Sequence, residues 1–362
     1  MECVIATGTC HAVFAYEVGH LIDLEGAERR LAAVAERQKV KQKRRAPAYF
    51  EYRPAPLRVT QEAASCDVGA YRTAGSVEVV LYDFGAVSVS FGIPIAGPLA
   101  GLPALSQVLY GNEQLAAASR RQVEQVLATL GDAVVRPRLA DFVEDYSIFA
   151  IREFTEPVEA AALSKEHAPT VAQILRAEPR PLSQEEIADA MATRVSYGPR
   201  DATFIDADAA LVFDPEGEDV EAVLEFANTQ LLEMRFLDQQ LDDLLDAAYG
   251  MLARRGAGRG PPPGLERVIE LQVDAALLFE QVTNALKLIG EQYLTRVYGL
   301  VSRRFHLAEW DHSITRKLET LESIYSKLTD RAAARRMELL EWIIILLIAL
   351  SIVIAFLPLR HG

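Results

Sequence analysis

Met337–Gly362 reads MELLEWIIILLIALSIVIAFLPLRHG. From Ile343 to Leu357 there are fifteen residues and no charge. At about 1.5 Å of helical rise per residue this part spans roughly 22 Å. Leu339, Leu340, Trp342 and Leu359 extend it toward the length a bilayer requires, interrupted by Glu341 and Pro358. A helix that is apolar on every side must be covered on every side. The stretch therefore predicts a single transmembrane helix over 339–359, with the lipid bilayer as partner; a helix buried inside an oligomer is the other arrangement that would cover it. Arg331, Arg335 and Arg336 precede the stretch, and only Arg360 and His361 follow. That bias places the bulk of the chain and its N-terminus in the cytoplasm. Trp342 suits a membrane interface, and Glu341 belongs beside it at headgroup depth, because a carboxylate in hydrocarbon is costly.

The remaining chain has the composition of an ordered protein. Of 362 residues, 50% are hydrophobic and 24% charged, and a net charge of -14 argues against a surface devoted to nucleic acid. The first residues, MECVIATGTCHAVFAYEVG, lack the basic start and long apolar core of a secretory signal. Cys3, Cys10 and Cys66 form an odd, sparse set, which fits a reducing compartment and no disulfide framework.

Working back from the terminal stretch, three helical stripes come into view. The first runs through Val220, Leu224, Ala227, Leu231, Met234, Leu241, Leu245, Ala248 and Leu252, and Ala253–Gly264 (ARRGAGRGPPPG) ends it. The second begins near Leu265 and carries Val268, Leu271, Ala275, Leu278, Val282, Ile289 and Tyr293. The third, Ile314, Leu318, Leu321, Tyr325, Leu328 and Ala332, alternates steps of four and three as a coiled-coil seam does. It predicts either a homo-oligomer or packing within one chain. The N-terminal part mixes strands and helices. Strands are expected at Val4–Ala6, Val13–Tyr16, Ala48–Arg53, Leu57–Gln61, Ala202–Ile205 and Ala209–Phe213, and a hairpin at Ser76–Phe91 turns at Asp83–Gly85. Helices are expected over Leu24–Val40, Leu105–Leu130 and Ala160–Ala177, with Ser183 and Glu186 forming a capping box for another. Pro94–Pro103 reads as a breaker, and Ala140–Ile151 is ambiguous. The fold class is α+β: a mixed α/β region over 1–215, long antiparallel helices over 216–338, and the transmembrane anchor at 339–359.

Chemistry is less visible. The nucleophile elbow, phosphate-binding loops and paired zinc cysteines do not occur. Cys3, Cys10 and His11 could converge on a metal, but buried thiols near a strand explain the cysteines as well. No cofactor, metal or small-molecule substrate is evident, and the expectation is a protein that is not an enzyme. Two polar features stand out. Arg37, Lys39, Lys41, Lys43, Arg44 and Arg45 form a basic run without an acidic neighbour, suited to RNA, anionic lipid or an acidic partner, or simply to a solvated helix end. Tyr49, Phe50 and Tyr52 follow it without interleaving. In Glu225–Leu245, Asn228, Arg235 and Asp242 recur every seven residues, and Asp238 lies three after Arg235, within pairing reach. Such a ladder either fixes the register of a helix against a neighbour or lines a solvated face.

Tyr82-Asp83-Phe84-Gly85-Ala86-Val87, Glu225-Phe226-Ala227-Asn228 with Gln230–Glu233 and Arg235, and Leu340-Glu341-Trp342 running into Ile343–Ile348 together resemble the meiotic-nuclear-division-1 family, the DUF155-type domain. The resemblance brackets roughly residues 75–357. It implies a non-enzymatic, membrane-anchored scaffold or tether, or alternatively a membrane-tethered contact for RNA or the ribosome that supports translation. Two departures weaken the organellar role of the mitochondrial relatives: no transit peptide is evident, and Ser351 stands after Ala349-Leu350 where the family places an acidic residue. The expected location is a bacterial cytoplasmic membrane.

Overall fold

A computed structural model describes residues 3–38, 55–253, 266, 268–273, 276 and 292–356. Its strands are β1 (Val4–Glu17), β2 (Leu21–Ile22), β3 (Leu57–Glu62), β4 (Asp67–Val68), β5 (Tyr71–Arg72), β6 (Ser76–Leu81), β7 (Ala86–Pro98), β8 (Val134–Val135), β9 (Val143–Phe154), β10 (Arg194–Val195), β11 (Ala202–Ile205) and β12 (Ala209–Phe213). Eight of them form one sheet in the order β10-β11-β12-β9-β1-β7-β6-β3. Neighbours are antiparallel except β9 and β12, which run parallel. The helices are α1 (Leu24–Gln38), α2 (Leu102–Leu109), α3 (Glu113–Leu130), α4 (Ala160–Lys165), α5 (Ala168–Leu175), α6 (Gln184–Ala190), α7 (Glu218–Ala253), α8 (Gln292–Arg304) and α9 (Leu307–Phe356).

The hairpin expected at Ser76–Phe91 forms, with Val79 opposite Val89 and a turn in which Tyr82 N donates to Ala86 O. Gly85 takes a φ of +95°, and a Cβ there would run into the Gly19 carbonyl, so the turn requires glycine. Where two strands were expected near the N-terminus there is one long one. Gly8 and Ala12 weaken the local strand signal between the two expected strands, but β1 is paired on both sides, and tertiary pairing overrides local preference. Pro94 and Pro98 do not break β7. Pairing with β6 ends at Phe91, so both prolines lie where only β1 is bonded and a missing N–H can face off the ladder. The ambiguous segment near 140–151 is β9, a central strand. Ser183 caps α6, accepting from Glu186 N at 3.2 Å.

The sheet carries a different layer on each face. One face presents Phe14, Tyr16, Val89, Phe91 and Phe149 to a core shared with α2, α3 and α5. There Tyr16 Oη donates to Ala116 O at 3.1 Å, and Ser106 Oγ donates to Ile174 O at 2.6 Å. The opposite face meets α7 and α8 through ring contacts of Phe226 with Tyr82 and Tyr298, and of Tyr146 with Phe305. Residues Met1–Phe236 and Leu278–Trp310 make one compact unit, and Leu237–Leu277 with Asp311–Gly362 make a second.

The transmembrane expectation is corrected here. Among the described residues no helix is long and apolar enough to cross a membrane. The described uncharged part of α9, Trp342–Phe356, covers roughly 22 Å, against about 30 Å of hydrocarbon. Glu341 and Trp342 are exposed positions on this helix. The anchor at 339–359, the lipid bilayer as partner and the cytoplasmic-membrane location lose their basis together. The coiled-coil and homo-oligomer expectation is corrected as well. Ile314, Leu321, Tyr325 and Leu328 are buried within a single chain, so these positions of the stripe are already covered without a partner copy.

Candidate functional site

The face of the sheet beneath α7 is polar where most sheet faces are apolar. α7 starts well: Glu218, Asp219 and Glu221 complement the positive end of the helix dipole, and the following turns are rich in Leu, Ala, Met, Gln and Glu, strong helix formers. In β7, Ser88, Ser90 and Gly92 alternate onto one face. Ser88 and Ser90 are buried, and Ser88 Oγ donates to Glu225 Oε1 at 2.7 Å. Arg58, from edge strand β3, donates to Glu225 Oε2 at 2.7 Å and lies 2.6 Å from Glu78 of β6. On the other side of the seam, Arg152 of β9 lies 2.6 Å from Glu221 Oε1. Between them sits His11 of β1, with Nε2 3.5 Å from Glu221 and Nδ1 3.5 Å from Ser90 Oγ. One seam thus crosses five adjacent strands under α7.

A second contact between α7 and β9 lies farther along. Arg235 donates from Nη1 to both oxygens of Glu144, at 2.9 and 2.7 Å, and stacks 5.1 Å over the Phe142 ring. Asn228 Nδ2 donates to Glu144 O at 3.4 Å. The two pairs are reciprocal. β9 supplies glutamate at Glu144 and arginine at Arg152; α7 supplies Glu221 opposite the arginine and Arg235 opposite the glutamate. A helix docked in the reverse direction would set like charges together, so the pairs specify direction as well as register.

Burial dominates the electrostatics of these groups. Burial raises Glu221 to about 7, with Arg152 pulling the other way. Burial likewise raises Glu144 to about 7, opposed by Arg235 and reinforced by Asp145. His11 is lowered to about 4, first by burial and further by Arg152 and Arg58, while Glu225 opposes. At neutral pH its imidazole is therefore uncharged, and its contact with Glu221 is a polar contact of a neutral ring with a carboxyl group.

The ladder residues divide between two settings. Asn228 and Arg235 meet β9 as described. Asp238 and Asp242 do not pair with Arg235. Both accept from Lys317 of α9, at 2.7 and 2.6 Å, and Ser313 Oγ lies 3.2 Å from Asp238, so they staple α7 to α9 within the second unit. Elsewhere Asp206, almost wholly buried, accepts from Arg304 at 2.6 and 2.8 Å and lies 2.8 Å from Arg176, tying the ends of α5 and α8 to the β11–β12 turn. Cys10 and His11 cannot converge on one metal: neighbours in a strand point to opposite faces, and Cys10 sits in the core on the far side from α7. No group of three or more metal-binding side chains occurs among the described residues. Burial pushes the Cys10 thiol far above its ordinary value, and all three cysteines are free.

Of the basic run, Arg37 lies on α1, while Lys39, Lys41, Lys43, Arg44 and Arg45 fall outside the described residues. No RNA-binding feature occurs among the described residues, and the expectation of an RNA or ribosome contact is withdrawn with the membrane tether it depended on. Arg58, Glu78, Ser88, Ser90, Glu144, Arg152 and Glu221 were not singled out as a site in the sequence, and His11 only as a possible metal ligand. The available signal was a charged residue inside an otherwise apolar strand, as in Ile151-Arg152 and Leu57-Arg58-Val59. The alternation of Ser88 and Ser90 with Val87, Val89 and Phe91 suits a strand with one solvated face, yet both serines are buried, Ser88 against Glu225 and Ser90 beside His11.

A family model described as "Uncharacterized protein MJ0711, N-terminal domain" matches residues 7–219. The chain belongs to this family. The membership replaces the resemblance to the meiotic-nuclear-division-1 group, whose quoted segments were short and rested most heavily on the terminal apolar run. The strands of the seam lie inside the matched region of the MJ0711 N-terminal family, and Glu221, Glu225 and Arg235 lie just beyond it. A relative described as "Uncharacterized protein MJ0711", from Methanocaldococcus jannaschii, is 24% identical over 217 residues, covering 59% of this chain and 66% of that protein. No solved structure matches.

Proposed function

We propose that this protein is a non-catalytic helix-docking module, in which the polar face of the sheet recognises α7 and holds it in one direction and one register. The reciprocal pairs Arg152–Glu221 and Glu144–Arg235 carry this reading. Around them Arg58, Glu225 and Ser88 satisfy one another. The groups that could do acid–base work are engaged by other parts of the same chain, and the hydroxyl beside His11 lies under the helix. A face built to act on a substrate would keep some of these groups available to it.

One observation favours a second reading. Ser90, His11 and Glu221 stand in the order of a hydrolase triad, hydroxyl to imidazole to carboxylate, although both steps are 3.5 Å. A fluorophosphonate probe applied to the full chain separates the two. The docking module leaves Ser90 unlabelled. Labelling that disappears in both Ser90→Ala and His11→Asn would replace the docking reading with acyl-transfer chemistry.

A further inference from the structure

We propose that the polar face of the sheet is an exchangeable groove, in which the sheet-facing half of α7, residues 218–236, holds the place of a helix from a partner protein. That partner helix is amphipathic, with two glutamates one turn apart and an arginine ten residues after the second, the order of Glu221, Glu225 and Arg235. The inference rests on the docking reading and extends it from a helix of the same chain to a helix of another protein.

The charges of the groove define this chemistry. At one end the face offers two cations. Arg152 lies 2.6 Å from Glu221, and Arg58 lies 2.7 Å from Glu225. The two glutamates stand four residues apart and so share one side of the helix. At the other end the face offers an anion, Glu144, which lies 2.7 Å from Arg235. A helix with acid, acid and then base in this order is attracted at both ends. One with the opposite order is repelled at both.

Three observations make α7 a replaceable occupant. Its fit is imperfect: Asn228 Oδ1 and Gln230 Nε2 are buried with no hydrogen-bond partner among the described residues, whereas buried polar atoms of a settled core are paired. Its contact is in good part polar. α7 buries Glu225, Asn228, Thr229 and Gln230, while the surfaces of permanent partners are more apolar. The groove also stands without the helix. The opposite side of the sheet packs on α2, α3 and α5, so two layers remain when α7 leaves. The strands that carry the groove lie within the region matched by the family model, and all but the first two residues of α7 lie beyond it.

The probe is a fluorescent synthetic peptide with the sequence of residues 216–238, titrated with the full chain and read by anisotropy. It competes with the resident helix, so its apparent affinity is reduced by the fraction of chains whose groove is closed. Wild type should bind it weakly. In Glu225→Ala the resident helix loses its hold on Arg58 and Ser88 while the peptide keeps its own glutamate, so binding should tighten by about tenfold or more. If that variant does not fold, Arg235→Ala loosens the other end of the helix at a half-exposed position, and binding should tighten by a smaller factor. A peptide with glutamine in place of both glutamates should bind at least about tenfold more weakly. Failure of the tested variant to bind the peptide more tightly than wild type, or equal binding of the glutamine peptide, overturns the exchangeable groove. Dimerisation of the variant chain through exchanged helices, seen by sedimentation, would make the occupant a second copy and overturn the partner. Labelling of Ser90 by the fluorophosphonate probe overturns the docking reading itself, whereas failure of the peptide with Ser90 unlabelled overturns only the exchange.

Discussion

The sheet-facing half of α7 and the last described turns of α9 are opposites. In the first, Glu225, Asn228, Thr229 and Gln230 are buried. In the second, Leu340, Trp342, Ile343–Ile348 and Leu350 are exposed, several by more than half of their surface. Residue type alone would assign the two stretches the other way round. The difference teaches that burial follows the availability of a complementary partner. α7 has a sheet face with arginines and serines placed to meet its carboxylates, whereas the apolar end of α9 stays exposed among the described residues.

The comparison can be broken most decisively at Glu225. In Glu225→Ala, Ser88 and one side of Arg58 lose their acceptor in a buried setting. Because Glu78 still faces Arg58, the expected loss is about 3 kcal/mol, at the low end for a broken buried pair. Urea unfolding measures it, and a loss under about 1 kcal/mol would mean that the seam does not hold α7. Arg235→Ala should cost less, about 1–2 kcal/mol, because its side chain is 41% exposed and water can screen the glutamate left behind. Unchanged stability there would return the second contact to an ordinary surface pair.

His11 sharpens the comparison through pH. Its lowered value means that the folded protein refuses a proton which the unfolded chain accepts. Stability from this group is whole above about 6.5 and is lost as pH falls toward the folded value. His11→Asn removes that loss. The difference in stability between wild type and variant should therefore move in the variant's favour by about 1–2 kcal/mol between neutral pH and about pH 5, read from urea curves at both. A smaller gain is expected at His306, which holds a φ of +55° between α8 and α9 without being glycine. His306→Gly should stabilise by about 0.5–1 kcal/mol, or a degree or more in thermal midpoint. The smallest effect belongs to α9. Ile344→Gln should change folding stability by less than about 0.5 kcal/mol, since that side chain packs on little. A large loss would show that the apolar end of α9 is covered after all.

How much of this was legible depends on the range of the forces involved. The β6–β7 hairpin, the α6 cap and the strands Ala202–Ile205 and Ala209–Phe213 are local signals and read directly. Helical spacing revealed α7 and α9 and the polar face at Asn228 and Arg235. It could not say that Arg235 would meet Glu144, 91 residues earlier in the chain, in place of Asp238 three residues away. The seam was illegible for the same reason: its members come from β1, β3, β6, β7, β9 and α7, and only the sheet order makes them neighbours. The terminal apolar run misled because flanking residues on the far sides of Glu341 and Pro358 were counted toward the length of a span, and the family resemblance leaned on the same residues.

The place of β1 at the middle of the sheet has a consequence for synthesis. Its two neighbours, β7 and β9, both come later in the chain. β9 begins about 125 residues after β1 ends, and a ribosome adding about 5–20 residues per second takes roughly 6–25 s to reach it. Through that interval β1 carries at least one open edge of unpaired N–H and C=O groups along a largely apolar strand, exposed to whatever other strands are at hand. The strand that ends at the centre of the sheet is thus the one that waits longest for its second partner.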